Sequence, residues 1–177
     1  HSGCFDDTFL VVCGDAVVDL DRGALLQLHR ARRAVATIAL KRLPAEQLPN
    51  YGVAVLDDDG RVREFQEKPA PGTARSDLAN TGIYLFDPAI FNHIPRDRVY
   101  DIGSELLPSL ARAGERIFGV ELPMQWLDIG RLEDYYRVVM QAMAGEVPGF
   151  DLPGRAIRPG LRVGPNVRAN FNRVSTC

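Results

Sequence analysis

The stretch Thr8-Phe9-Leu10-Val11-Val12-Cys13, closed by Gly14-Asp15, constrains this chain more than any other. An apolar run of that length, without polar alternation, reads as a strand buried on both faces, the kind found inside a parallel sheet. Val35 to Leu40 repeats the pattern, and between the two Arg22 to Arg33 places Leu25, Leu28 and His29 at helical spacing. Gly52 to Leu56 and Arg61 to Phe65 flank Asp57-Asp58-Asp59-Gly60, and Asp-Gly is a hairpin signal. Thr81 to Phe86 is a further strand, and Asp87-Pro88 opens a short helix through Ile94, the Asp as N-cap and the Pro at the first helical position. Ser104 to Ala113 is amphipathic, Arg116 to Leu122 is a strand stopped by Pro123, and Leu132 to Ala144 is a helix. Strands alternating with helices at this spacing predict an α/β protein with a largely parallel sheet.

The pattern changes at Pro153. Ile157, Val163 and Ala169 recur every six residues, Leu161 and Val167 keep the same interval, and Gly160 and Gly164 lie between them. Six-residue periodicity predicts the start of a left-handed hexapeptide β-helix over 151–177, after an α/β domain over 1–150. The stretch holds only about two coils, where repeat folds need three or more units.

Composition removes several classes of function. A chain of 177 residues is long enough to bury a real core. Its 21 Lys plus Arg stand against 23 Asp plus Glu, so it lacks the basic surplus of a polyanion binder, and no nucleic-acid partner is expected. Cys4, Cys13 and Cys177 are odd in number and have no C-x-x-C spacing, which argues against a disulfide framework and a cysteine zinc site. Cys13, inside its apolar run, is expected to be a small buried hydrophobe. No stretch approaches the ~20 apolar residues of a membrane span, and the N-terminus has no signal-peptide pattern. A reduced, soluble, cytoplasmic protein without a membrane partner is the expectation.

Four constellations carry chemistry. In parallel sheets ligands gather at the carboxyl ends of strands, which is where Asp15 stands; a turn or cap carboxylate is the other reading of it. Gln125-Trp126-Leu127-Asp128-Ile129-Gly130 sets an acid after two large apolar residues. Phe65-Gln66-Glu67-Lys68-Pro69 sets a carboxylate and one of the chain's two lysines at a strand end, braced by proline. Ala79-Asn80-Thr81-Gly82-Ile83-Tyr84 leads polar groups into a strand. Other candidates are bland: His29 and His93 have no matching ligand at metal spacing, Asp57 to Asp59 is a hairpin tip, and Arg131 is a solvated helix-start arginine or a phosphate contact.

Taken in order, these motifs resemble those of the nucleotidyltransferases that make nucleotide sugars, most closely the mannose-1-phosphate guanylyltransferase group. Gly14-Asp15, Tyr51-Gly52-Val53, Glu67-Lys68-Pro69, Asn80-Thr81-Gly82-Ile83-Tyr84 and Trp126-Leu127-Asp128-Ile129-Gly130 match the family's motifs along essentially the whole chain. The resemblance implies a partial Rossmann-like, three-layer α/β/α mixed sheet. It also implies the joining of a sugar 1-phosphate to a nucleoside triphosphate with release of pyrophosphate. Asp15 and Asp128 would hold Mg²⁺, whose octahedral shell phosphate oxygens and water complete. Lys68 would hold the sugar phosphate as a point charge. Asp15, Asp128 and Lys68 are thus the expected catalytic residues. Glu67, Asn80, Thr81 and the Gly52 backbone are expected to bind the sugar beside Lys68. Mannose 1-phosphate with GTP is the expected pair, and glucose 1-phosphate with UTP or dTTP the alternative.

The family's opening glycine-rich loop, of the type G-G-x-G-T-R-L, has no counterpart among these residues. The chain therefore reads as an N-terminally truncated nucleotidyltransferase, inactive alone, whose triphosphate site belongs to a full-length parent. A non-catalytic sugar-phosphate binder or assembly partner is the reading from another class. In the family the strand Phe9 to Cys13 is internal, so here it becomes an open edge, and a homodimer or higher oligomer is expected.

Overall fold

In the computed structural model, residues 5–147, 149, 152–158, 161–164 and 166–167 are described. The chain divides into two compact units, His1–Gly14 with Leu20–Met124, and Asp15–Asp19 with Gln125–Cys177. The division therefore falls at Asp15 and Gln125, while the change in sequence periodicity lies at Pro153.

The first unit is built on a six-stranded sheet. Its strands are β1 (Phe9–Val12), β3 (Ala36–Arg42), β4 (Val53–Leu56), β5 (Val62–Gln66), β6 (Leu78–Phe86) and β7 (Ile117–Glu121). The order is β5-β4-β6-β3-β7, with β1 also on β6. Only β3–β7 is parallel; every other pair is antiparallel, so the largely parallel sheet expected from the apolar runs is instead mixed. The runs report burial on both faces, which helices on the two sides of the sheet provide whatever the strand direction. α1 (Arg22–Arg32), N-capped by Asp21, covers one face, where His29 meets Thr37 of β3. On the other face Ile38, Leu40, Tyr84, Phe86 and Phe65 form one buried cluster with Leu106, Leu107 and Leu110. α2 (Leu107–Ala113) supplies the last two and is entered through one π-helical turn, Ile102–Leu106. Pro108 has no N–H to return to the preceding turn, so the predicted single helix is wound more widely there.

β1 departs from its expectation. Phe9 and Val11 pack against the core, while Leu10 and Val12 are 40% and 43% exposed. Among the described residues it pairs with β6 alone, so its other edge has no strand partner there, and the alternating exposure shows one face covered and one open. Cys13 is exposed rather than buried, because it stands past the end of that strand.

In the second unit β2 (Ala16–Asp19) pairs antiparallel with β8 (Gln125–Asp128), followed by α3 (Leu132–Ala144). β9 (Arg155–Arg158) and β10 (Leu161–Val163) pair antiparallel. A hexapeptide coil stacks parallel strands, so the described part of the tail does not have that arrangement. Ala169 and Gly160 of the six-residue pattern lie outside the described residues.

Candidate functional site

A bulge in β6 organises the sugar-side residues. Ile38 lies opposite Tyr84 and Leu40 opposite Asn80, so Thr81, Gly82 and Ile83 share the single partner Ala39. The sequence provides for each irregularity. Thr81 is buried and its hydroxyl donates to the Ala39 carbonyl at 2.7 Å, which satisfies an acceptor the ladder misses. Gly82 takes the left-handed φ of +74° that the bulge requires. Its N–H donates to Asn80 Oδ1 at 3.1 Å, and Asn80 Nδ2 donates to the Tyr84 hydroxyl at 2.8 Å. Burial pushes the Tyr84 phenol up to about 12, so it stays protonated.

Two strands meet end to end beside this bulge. β1 finishes where Val12 faces Ile83, and the Cys13 N–H continues to the Gly82 carbonyl at 3.0 Å. β4 begins where Val53 faces Ala79, and its Gly52 carbonyl accepts from the Asn80 N–H at 2.7 Å. Gly14, Gly52 and Asn80 are therefore brought to one junction along the β6 edge.

Glu67 and Lys68 follow β5, the hairpin partner of β4. Lys68 is exposed at φ +44°, a left-handed backbone that is uncommon for a side-chain-bearing residue. Its N–H bonds to the Tyr51 carbonyl, and the buried Pro69 follows. Two glycines cradle the Glu67 carboxylate: a Cβ at Gly52 would lie 2.9 Å from Oε2, and one at Gly103 would lie 2.7 Å from it. Lost hydration raises the Glu67 carboxyl above its usual range; the Lys68 charge opposes this and Asp101 adds to it. Asp101 is itself held below the carboxylate range, first by the Ser104 N–H and then by the Ser104 hydroxyl. No sequence motif marked Asp101 or Gly103, because only the fold brings them to Glu67.

In the second unit the register sets Asp128 opposite Ala16, and the Ile129 N–H donates to the Asp15 carbonyl at 2.8 Å. The two acids therefore stand one register step apart. Asp15 is exposed, Asp128 is half-buried, and Asp128 Oδ1 accepts from the Gly130 N–H. Trp126 is buried in the same strand, and Arg131 pairs with Asp134 at 3.0 Å. No group of three or more His, Cys, Asp or Glu side chains gathers among the described residues. Carboxylates are hard oxygen donors of the type Mg²⁺ takes, so the chemistry of Asp15 and Asp128 suits an ion whose remaining ligands are phosphate oxygens and water. Thr81, expected at the sugar, has its hydroxyl hydrogen-bonded to the Ala39 carbonyl inside the sheet.

The nucleotidyl transferase family model matches residues 2–145. The UTP–glucose-1-phosphate uridylyltransferase of Synechocystis sp. is 42% identical over 170 residues, 96% of this chain and 44% of that protein. A glucose-1-phosphate adenylyltransferase of Desulforamulus reducens is 28% identical over 180 residues, 94% of this chain and 44% of that protein. The chain thus spans less than half the length of these relatives. Among solved structures, a UDP-glucose pyrophosphorylase complexed with UDP-glucose superposes with a TM-score of 0.62 at 22% identity, over 77% of this chain and 56% of that one. That likeness establishes the nucleotide-diphospho-sugar transferase fold.

Proposed function

This chain belongs to the nucleotidyl transferase family, and from that premise we propose that it carries the sugar-phosphate side and the metal acids of a sugar-1-phosphate nucleotidyltransferase. The observation that carries the reading is the junction on β6, where Gly52 and Asn80 meet and the hairpin brings Glu67 and Lys68. Lys68 meets the phosphate as a point charge, and Glu67, Asn80 and the Gly52 backbone meet sugar hydroxyls. A phosphate monoester has its second pKa near ~6, so the nucleophile is already largely ionised at pH 7 and needs no protein base. Positioning and charge neutralisation remain as the work of the site. Asp15 and Asp128 would hold Mg²⁺, which when bound neutralises developing phosphate charge.

The expectation of mannose 1-phosphate and GTP gives way to a glucose 1-phosphate substrate, because both relatives described above are named for glucose 1-phosphate. They differ in the base, and UTP is the nucleotide we propose, since the relative at 42% identity is named for it. Family membership favours this enzyme reading over a non-catalytic binder. Titration calorimetry in Mg²⁺ tests the sugar. Glucose 1-phosphate should bind saturably and at least tenfold more tightly than mannose 1-phosphate or inorganic phosphate. Equal or inverted affinities would overturn the assignment.

A further inference from the structure

The Asn80 side chain is held at both ends of its amide. The Gly82 N–H can only donate, so the atom it meets at 3.1 Å is the amide oxygen, and the amide nitrogen is turned the other way. There Nδ2 donates to the Tyr84 hydroxyl at 2.8 Å. Neither anchor is loose. Gly82 is buried in the β6 bulge. The Tyr84 ring is 4% exposed, stacks on Phe86 with centroids 5.4 Å apart, and belongs to the buried cluster of Ile38, Leu40 and Leu106. A carboxamide has two N–H groups and two oxygen lone pairs, so Asn80 keeps one of each after making both bonds. A sugar hydroxyl, donor and acceptor at once, can use either.

We propose that Tyr84 is a positioning residue for the sugar: its hydroxyl, carried by a ring fixed in the core, holds the Asn80 amide in the orientation that meets a sugar hydroxyl. The inference deepens the function proposed above and rests on its placing of Asn80 at the sugar. Tyr84, Asn80 and Gly82 all lie in the first compact unit. Tyr84 touches no reacting atom in this account; it acts through Asn80. Phenylalanine keeps the ring and its packing but leaves the amide nitrogen without its acceptor. The amide is then anchored at its oxygen alone and can turn, so the ligand must order it on binding and binds more weakly.

The test is a double-mutant cycle on Tyr84→Phe and Asn80→Ala in the full chain, read by calorimetry with glucose 1-phosphate. Tyr84→Phe alone should weaken binding at least fivefold. In the Asn80→Ala background, where Glu67, Lys68 and Gly52 remain to bind, the same change should alter affinity less than twofold. Without any ligand, NMR should show the Asn80 side-chain amide hydrogens exchanging with water at least tenfold more slowly than those of the exposed Asn92, and quickening in Tyr84→Phe. Equal losses in the two backgrounds would overturn the proposal, since Tyr84 would then act on the fold or on the sugar without Asn80. A lowered melting temperature with affinity intact would also overturn it and leave the hydroxyl merely structural. Should the parent bind no glucose 1-phosphate, the function proposed above falls. Exchange at Asn80 as fast as at Asn92 in the parent would separately refute the tie to Tyr84. If Tyr84→Phe does not fold, 4-fluorophenylalanine at position 84 fills the space of the hydroxyl with a weak acceptor and takes its place in the cycle.

Discussion

His29 shows how one residue ties acid sensitivity to fold. It is buried, its Nδ1 lies 2.8 Å from Thr37 Oγ1, and burial holds its pKa below the usual histidine value, with Asp87 opposing and Arg30 adding to the shift. The neutral ring is the folded form. Its contribution is therefore present above the unfolded pKa of about 6.5 and is lost as pH falls through the lower folded value. Urea unfolding between pH 7.5 and 5 should show stability declining on the acid side, with a shallower decline in His29→Gln. The depressed carboxylates Asp57, Asp101, Glu105 and Asp134 lose their contributions at lower pH, below their unfolded values near 4, and so do not confuse this window. At this scale Lys68, Glu67, Asn80, Asp15 and Asp128 stand out in the sequence through motifs that are specific only when taken together and in order. The exposure of Cys13 was not legible, because an apolar run does not reveal which strand end projects beyond its partner.

At the scale of elements, the hairpin β4–β5, α1 and the Asp87 cap follow from Asp-Gly, helical spacing and Asp-Pro, all of which are local signals. What the sequence hid is pairing between distant segments. The β6 bulge is defined by β3, and the step between Asp15 and Asp128 by the β2–β8 ladder, and neither partner can be read from its own residues. Gly52 shows the cost of filling such a junction. A Cβ there would meet Phe65 Cζ at 2.6 Å as well as Glu67, so Gly52→Ala should destabilise the fold by about 1–3 kcal/mol, as overpacking does. Gly14→Ala, with open space around it, should change stability by no more than about 0.5 kcal/mol. Chemical denaturation of the two variants checks the contrast, and equal losses would contradict the cradle.

For the whole molecule, the chain crosses between its two units at Asp15, Leu20 and Gln125, positions at which composition gives no warning. The signal at Pro153 was one of periodicity, and it does not mark that boundary. No helix among the described residues is long and apolar enough to cross a membrane. β1 presents Leu10 and Val12 on its uncovered face, with Phe5 46% exposed nearby in sequence. An apolar strand without a charged gatekeeper is a template for pairing, and we propose self-association through it. Light scattering after size exclusion should give more than the monomer mass at micromolar concentration, and Leu10→Lys should reduce it. A parent that is already monomeric would contradict this.

The central claim is that Lys68 serves the sugar phosphate. Met at this position keeps the stem's packing and removes only the charge. Glucose 1-phosphate titrated into the parent and into Lys68→Met is the most direct measurement. The account predicts at least tenfold weaker binding in Lys68→Met, with its melting temperature within about 2 °C of the parent's, as expected for a surface change of under ~0.5 kcal/mol. Unchanged affinity together with a large fall in melting temperature would contradict it, and would make Lys68 a support of the fold.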